Sequence, residues 1–345
     1  MSSKEVLVGL QKQYGPSIGK IGGGYYPAGR IPTGIFPLDL ALGGGFPRAK
    51  MSMICGLESS GKSLILYKLL SQVQSEGKVA VLVDVEGSYD LEWATLLGVD
   101  TKKLVYILPS TAEEAIDAID GFMNSDDVGI VGLDSIAALC SQNEVESAAS
   151  KMIVAGVSQM IGKLSRKITS ALNRQRSSGY IPAFISVNQV RYKVGVMYGN
   201  PEVFPGGIGL MFYHSLILRM YGKNKMVKEI SSEVPAFREI SGIVKKSKVP
   251  VVSLAFEYDI CLVPHGKLNV GDVDAWNTVS NYAKKVGLIS KTDNGWKAMG
   301  SGFKTLEAMK DHYYEDSMFS SSLRSELIKV IKPVHKNVES VFKKT

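Results

Sequence analysis

The sequence predicts an α/β fold: a core with a mainly parallel sheet, a short helix before it and a small α/β unit after it. Three observations predict this. From about residue 34, apolar runs at 79–85, 104–108, 129–133, 183–187 and 214–220 read as buried strands, with helical patterns between most of them. One further run, Met51-Ser-Met-Ile-Cys55, leads into Gly56-Leu-Glu-Ser-Ser-Gly-Lys-Ser63, which fits the phosphate-loop pattern G-x-x-x-x-G-K-[ST]. Beyond that loop, Ile65, Leu66, Leu69, Leu70 and Val73 recur at helical spacing up to a stop at Gly77. Strand, glycine loop, helix is the context in which such a loop holds phosphate.

The remaining elements follow in order. Residues 4–14 read as a short amphipathic helix with Val6, Leu7, Leu10 and Tyr14 on one side, and a glycine-rich stretch follows. A helix of that length is marginal alone in water, so it needs its own core or another subunit to cover it. After about residue 264 helical segments near 271–286 and 303–334 flank the turn Asp293-Asn-Gly-Trp296. The expected organisation is therefore 1–33, an oligomerisation helix and linker; 34–263, the core; and 264–345, a small C-terminal domain.

Composition narrows the function classes. At 345 residues, with 45% hydrophobic and 21% charged residues, the chain is ordinary for a globular protein. A formal net charge of +7 allows a polyanionic partner. No apolar run approaches the roughly 20 residues of a membrane span. Cys55, Cys140 and Cys261 are scattered and read as free thiols of a reducing compartment. With His214, His265, His312 and His335 they form no metal-ligand spacing, so a structural metal or histidine-based catalysis is not expected.

The chemistry-bearing residues sit at strand ends, where open α/β sheets bind their ligands. In the loop, Gly56 and Gly61 allow tight turns, Glu58, Ser59 and Ser60 expose backbone N–H groups, Lys62 reaches phosphate, and Ser63 offers a hydroxyl to Mg²⁺. Val79–Glu86 is a strand ending in two acids, and Glu86 is the candidate general base that deprotonates an attacking water. Gly129–Asp134 ends in Asp134, suited to holding the Mg²⁺ shell. Phe184–Gln189 ends in amides, and Gln189 can sense a γ-phosphate. The segment 190–208 then carries Arg191, Tyr192, Lys193 and Tyr198 among the glycines Gly195, Gly199, Gly206 and Gly207, which suits a single nucleic-acid strand. Lys163, Arg166, Lys167 and Arg174 fall near one helical face, either a phosphate-facing stripe or a solvated one.

In this order, the stretches GLESSGKS at 56–63, VDVEGSYD at 83–90, LGVD at 97–100, LDSIAAL at 133–139 and NQVRYKVGVMYGNPE at 188–202 resemble the RecA family of DNA recombinases, from the N-terminal helix to roughly residue 300. The resemblance implies a RecA-like P-loop ATPase core. It also implies ATP and Mg²⁺ as cofactors, a helical filament on single-stranded DNA, and strand exchange with homologous duplex. It implies that Lys62 and Ser63 hold phosphate and Mg²⁺, that Glu86 activates water, that Asp134 supports the metal shell, and that Gln189 reads the γ-phosphate. Asp90 and Trp93 would contact adenine. Residues 147–155 and 190–208 would be DNA loops, with Val194 a wedge between bases and Arg166 a phosphate contact. Lys246 and Lys248 would reach the ATP of the neighbouring subunit.

Some positions depart from the family's pattern. Gln159 and Met211 stand where basic residues are usual, the stretch 258–269 is altered, and the C-terminal tail is basic rather than acidic. The resemblance places the protein in a bacterial cytoplasm, and the departures point to a divergent member, including a phage-encoded one in an infected cell. The competing readings are a single-stranded-DNA-coating filament that uses ATP as a switch without significant turnover, a ring helicase, and a small-molecule kinase. Glu86 weighs against a pure switch, the short N-terminal region against the helicase, and segment 188–208 against the kinase.

Overall fold

The computed structural model describes residues 1–15, 18–19, 29–140, 154–178, 182–192, 202–227 and 234–331. The chain runs through α1 (Ser3–Tyr14), β1 (Arg30–Ile31), α2 (Phe36–Leu42), β2 (Phe46–Pro47) and β3 (Met51–Gly56). Next come α3 (Lys62–Ser75), β4 (Val79–Asp84), α4 (Leu91–Leu96), β5 (Val105–Ile107), α5 (Ala112–Met123) and β6 (Val128–Asp134). Then follow α6 (Val154–Ser178), β7 (Ala183–Gln189), β8 (Arg191–Tyr192), β9 (Glu202–Val203), α7 (Gly207–Tyr213) and β10 (Leu216–Lys225). The order closes with β11 (Phe237–Ser247), β12 (Ala255–Cys261), β13 (Val273–Asp274), α8 (Trp276–Lys285), β14 (Ile289–Thr292), β15 (Gly295–Ala298), β16 (Ser301–Phe303), α9 (Leu306–Glu315) and α10 (Ser317–Val330).

A nine-stranded sheet organises the core, in the order β13-β12-β11-β10-β3-β7-β6-β4-β5. From β10 to β5 every pairing is parallel, and from β10 to β13 every pairing is antiparallel. The parallel strands are covered on both faces, which is why they read as unbroken apolar runs. Along β3, Ile54 packs on one face with Leu66 and Leu70 of α3, while Met53 and Cys55 pack on the other with α5 and α6.

After β13, the antiparallel sheet β14-β15-β16 and helices α8, α9 and α10 share a separate apolar cluster centred on Trp276, Val279, Met309 and Leu323. Phe36 and Leu40 of α2 join that cluster, so one core helix is packed into the C-terminal unit.

Several elements differ in detail from the sequence expectation. The 303–334 segment is two helices, because Asp316 caps α10 by accepting from Met318 N and Phe319 N just where α9 ends. The expected strand at 214–220 begins at Leu216; His214 ends α7 instead, bonded to Ser186 and to the Leu210 carbonyl. In α1, Ser2 and Glu5 form a reciprocal capping box, yet none of its residues is buried, and Val6, Leu10 and Tyr14 are exposed. Cys55 and Cys261 are buried and Cys140 is half-buried, all as free thiols.

Candidate functional site

The phosphate loop lies between β3 and α3, at the carboxyl end of the parallel sheet. Gly56 is required by a close approach: a Cβ there would lie 2.2 Å from Ser60 Oγ and 2.9 Å from the Met220 carbonyl oxygen. Gly61 caps α3 at φ +83°, and Ser59 also adopts a left-handed backbone at φ +55°. Ser60 is buried and donates to the Leu57 carbonyl at 2.7 Å, whereas Glu58 and Ser59 are exposed. Lys62 is 9% exposed, and its ammonium donates to the Leu57 carbonyl at 2.7 Å. Burial lowers the Lys62 pKa, and the charges of Asp134 and Glu86 oppose that shift. The first N–H groups of α3 have no partner within the helix and face the loop's concavity, a ready anion site.

Strand register assembles the acids around this loop. Gly56 pairs with Gln189 and Asp84 pairs with Asp134, while Leu133 pairs with Ser186, so Gln189 lies two residues beyond the level of Asp134 at the same edge of the sheet. Ser63 Oγ donates to Asp134 Oδ2 at 2.8 Å. Asp134 is buried, and burial pushes its carboxyl up to about 6. The Ser63 bond and Lys62 pull it down, and Glu86 and Asp84 push it up. A buried carboxylate beside a hydroxyl and a second acid has surplus negative charge, and a hard divalent cation would relieve it. The donors therefore fit Mg²⁺ held by Ser63, with Asp134 ordering its shell.

Gln189 Nε2 donates to Glu86 Oε1 at 2.8 Å, joining the candidate base to the candidate sensor. The turn that carries Glu86 is fixed by Asp84, a residue with no role in the sequence reading. Its carboxylate accepts from Gly87 N at 2.9 Å, Ser88 N at 3.3 Å, Tyr89 N at 2.9 Å and Tyr106 OH at 3.1 Å. Two acids at a strand end thus divide the work, with Asp84 building the turn and Glu86 presented by it.

Beside the loop, a cavity of about 430 Å³ is lined by Ser59–Leu64, Trp93, Arg238, Ile240, Ile260 and Leu262. Trp93 is half-buried on α4, and Asp90 caps that helix by accepting from Trp93 N at 2.9 Å. Arg238 Nε donates to the Ser59 carbonyl at 2.6 Å, tying β11 to the loop. Arg238, Ile240, Ile260 and Leu262 were missed as site residues. They come from strands far along the chain and carry no motif, although Ile260 and Leu262 fall in the altered 258–269 stretch.

The candidate DNA residues divide. Lys193, Val194 and Tyr198, with most of the 147–155 loop, lie outside the described residues. Arg191 on β8 and Arg166 on α6 are exposed. Gly206 starts α7 at φ +99°, where a Cβ would meet Leu210 at 2.9 Å and Ile161 at 3.1 Å, and Gly207 is exposed. The basic stripe on α6 is broken up. Lys167 bridges to Asp120 at 2.9 Å and Asp117 at 3.2 Å, and Arg174 donates to Asn124, so these two serve α5–α6 packing rather than a phosphate face. Lys246 and Lys248 are at the other end of the sheet. They donate to the carbonyls of Met211 and Phe212 at the end of α7, at 2.6 Å and 2.9 Å. Lys246 is level with Ile217, which is level with Met53, about 10 Å behind Gly56 along the strand.

With this geometry in place, the comparisons decide the family. A family model described as the RecA N-terminal domain matches residues 3–261. The chain belongs to the RecA family. It is 35% identical over 296 residues to Protein RecA of Chlorobaculum parvum, covering 85% of this chain and 81% of that one. To Protein RecA of Mesomycoplasma hyopneumoniae (strain 7448) it is 33% identical over 263 residues, covering 75% and 74%. To that of Thermus aquaticus it is 37% identical over 221 residues, covering 64% and 63%. Among the described residues no helix is long and apolar enough to cross a membrane.

Proposed function

We propose that this protein is an ATP-dependent DNA recombinase. It assembles as a helical filament on single-stranded DNA, hydrolyses ATP to ADP and phosphate, and pairs the strand with homologous duplex. The observation that carries this reading is the bond between Gln189 and Glu86. It links the group suited to activating water with the last residue before the segment suited to DNA, so the two events share one contact. A bound Mg²⁺ supplies neutralisation of phosphate charge. Lys62 and the loop N–H groups bind the β- and γ-phosphates, and Ser63 and Asp134 place the metal. Glu86 orients a water and accepts its proton as oxygen attacks the γ-phosphoryl group. The base side is the cavity of Trp93, Ile240, Ile260 and Leu262, with Asp90 shaping the helix that carries Trp93.

In the same reading Arg166, Arg191, Lys193, Val194, Tyr198, Gly206 and Gly207 serve DNA, and Lys246 and Lys248 serve a neighbour's nucleotide. Residues 1–33 form the oligomerisation helix and linker, 34–263 the ATPase core and 264–345 the C-terminal domain, in a protein of the bacterial cytoplasm. Because Lys246 and Lys248 point away from their own phosphate loop, any part they take in hydrolysis requires a second chain, which ties turnover to assembly. The DNA-coating switch without turnover is not favoured, since it has no use for a Glu86 held by Asp84 and Gln189.

The test mixes circular single-stranded DNA with homologous linear duplex, ATP and Mg²⁺. Joint molecules should form with wild type and fail with Lys62→Ala or with heterologous duplex. Coating of the single strand in ATP without joint molecules would move the protein to the switch reading.

A further inference from the structure

Arg219, on β10, is a fully buried cation, 1% exposed. Its fork grips Glu202, with Nε at 2.9 Å and Nη2 at 2.6 Å from Oε1. Nη2 also reaches Tyr192 OH at 3.5 Å, Nη1 donates to the Met220 carbonyl at 2.6 Å, and the guanidinium lies 4.4 Å from the centre of the Tyr221 ring. Lys245 adds a second cation to Glu202 at 3.3 Å and sits over the Phe204 ring at 4.5 Å. Burial works to raise the Glu202 carboxyl, but the two cations outweigh it and hold its pKa below the ordinary value.

The placement of this cluster gives it significance. Tyr192 and Glu202 face each other across the β8–β9 pair, so one guanidinium touches both legs of the stem that opens and closes segment 193–201. Among the described residues that stem is two residues per strand and joins no larger sheet, so its own ladder holds it weakly. On the other side, Arg219 is level with Cys55 on the phosphate-loop strand, and the Met220 carbonyl it engages is the one that packs against Gly56. Val190 N donates to the Gly56 carbonyl at 3.3 Å, which closes the circuit between stem and loop. A buried ion pair is not needed for adhesion, because apolar side chains of similar size pack strands at least as well. A planar fork does what they do not, in fixing one orientation of its partner.

We propose that Arg219 is a positioning residue that clasps both strands of the β8–β9 stem beside the phosphate-loop strand, setting the geometry through which DNA on that segment accelerates ATP turnover. This rests on the recombinase reading above. Arg219 touches neither nucleotide nor DNA; it acts through Glu202 and Tyr192.

The experiment compares the full-length wild type, Arg219→Lys, and the pair Arg219→Met with Glu202→Leu, which removes both charges together and leaves neither stranded. Thermal midpoint, ATP turnover without DNA, and turnover over a titration of oligothymidine are measured for each. The paired variant should melt near wild type and keep its DNA-free turnover. Its DNA stimulation should fall by about fivefold or more, and Arg219→Lys should fall in the same direction. Stimulation at the wild-type level in a paired variant that melts like wild type overturns the inference, since the cluster is then only a strut. If the paired variant does not fold, Arg219→Lys decides, and wild-type stimulation there overturns the inference equally. A wild type indifferent to DNA removes the recombinase reading and the inference with it, whereas a stimulated wild type with equally stimulated variants removes the inference alone.

Discussion

At the carboxyl ends of β3, β4, β6 and β7, one chain gathers a phosphate loop and the proposed metal-shell carboxylate, base and sensor, with Ser63 bonded to Asp134, Glu86 N to the Asp134 carbonyl, and Gln189 to Glu86. At the opposite end of the same sheet, Lys246 and Lys248 donate to the Met211 and Phe212 carbonyls at the end of α7. Both ends carry residues that the family resemblance assigns to ATP. The contrast fits the proposal of a site shared between two chains. On the proposed reading, binding and proton transfer lie within the chain, and part of the charge stabilisation waits for a second chain. An enzyme of that kind would turn over slowly until it assembled.

The largest effect should come from breaking the end that is complete. Glu86→Gln should lower turnover by about 10²- to 10⁴-fold while nucleotide still binds, as read by steady-state hydrolysis beside equilibrium titration. Breaking the other end, with Lys246→Ala and Lys248→Ala together, should cost about 10²-fold in DNA-stimulated turnover. Mixing that variant with Glu86→Gln sharpens the comparison, because each supplies what the other lacks. Partial recovery of activity is the expected result, and no recovery would place the lysines outside a shared site.

Smaller changes follow. Asp134→Asn should raise the Mg²⁺ needed for half-maximal turnover by about 10- to 100-fold without changing the DNA requirement.

Acid should affect the two ends differently. Without Mg²⁺, Asp134, pushed up to about 6 by burial, takes a proton as pH falls through that value, so the Mg²⁺ needed for half-maximal turnover should rise there. His214, at the lysine end, is held neutral by burial with its pKa lowered to about 4. In the unfolded chain it protonates near its ordinary 6.5, so its contribution to stability is present above that value and is lost as pH falls towards 4. Asp39 and Asp134, both raised to about 6, work the other way, since their folded forms hold protons that the unfolded chain releases. The His214 effect must therefore be read as the difference between wild type and His214→Asn in melting against pH. It should grow by about 1.4 kcal/mol per pH unit below 6.5. A pH-independent difference would mean that His214 is not held neutral.

The phosphate half of the nucleotide site was legible because its residues are contiguous. Eight positions from Gly56 to Ser63 fix loop, cation and hydroxyl in a local pattern that tertiary packing only has to support. The strand-end acids were legible for a related reason, since a buried parallel strand announces its own carboxyl end. The base half was legible only through Trp93 and Asp90. Arg238, Ile240, Ile260 and Leu262 meet Trp93 only because the antiparallel strands β11 and β12 return alongside the loop, and that register is set by long-range pairing. Lys167 and Arg174 stayed ambiguous for the opposite reason. A basic helical face looks the same whether it awaits phosphate or pairs with acids and amides on a neighbouring helix, and only the placement of Asp117, Asp120 and Asn124 decides. Asp84 was visible as a strand-end acid, but four donors converging on it are a property of the folded turn.

The most direct test of the proposed shared site is ATP hydrolysis over a range of protein concentrations, with and without single-stranded DNA, for wild type and Glu86→Gln. Turnover should rise steeply with concentration, be strongly stimulated by DNA, and be lost in Glu86→Gln while that variant still binds DNA with ATP. Turnover that is strictly proportional to protein and indifferent to DNA would contradict a shared site, because the chain would then be completing its chemistry alone.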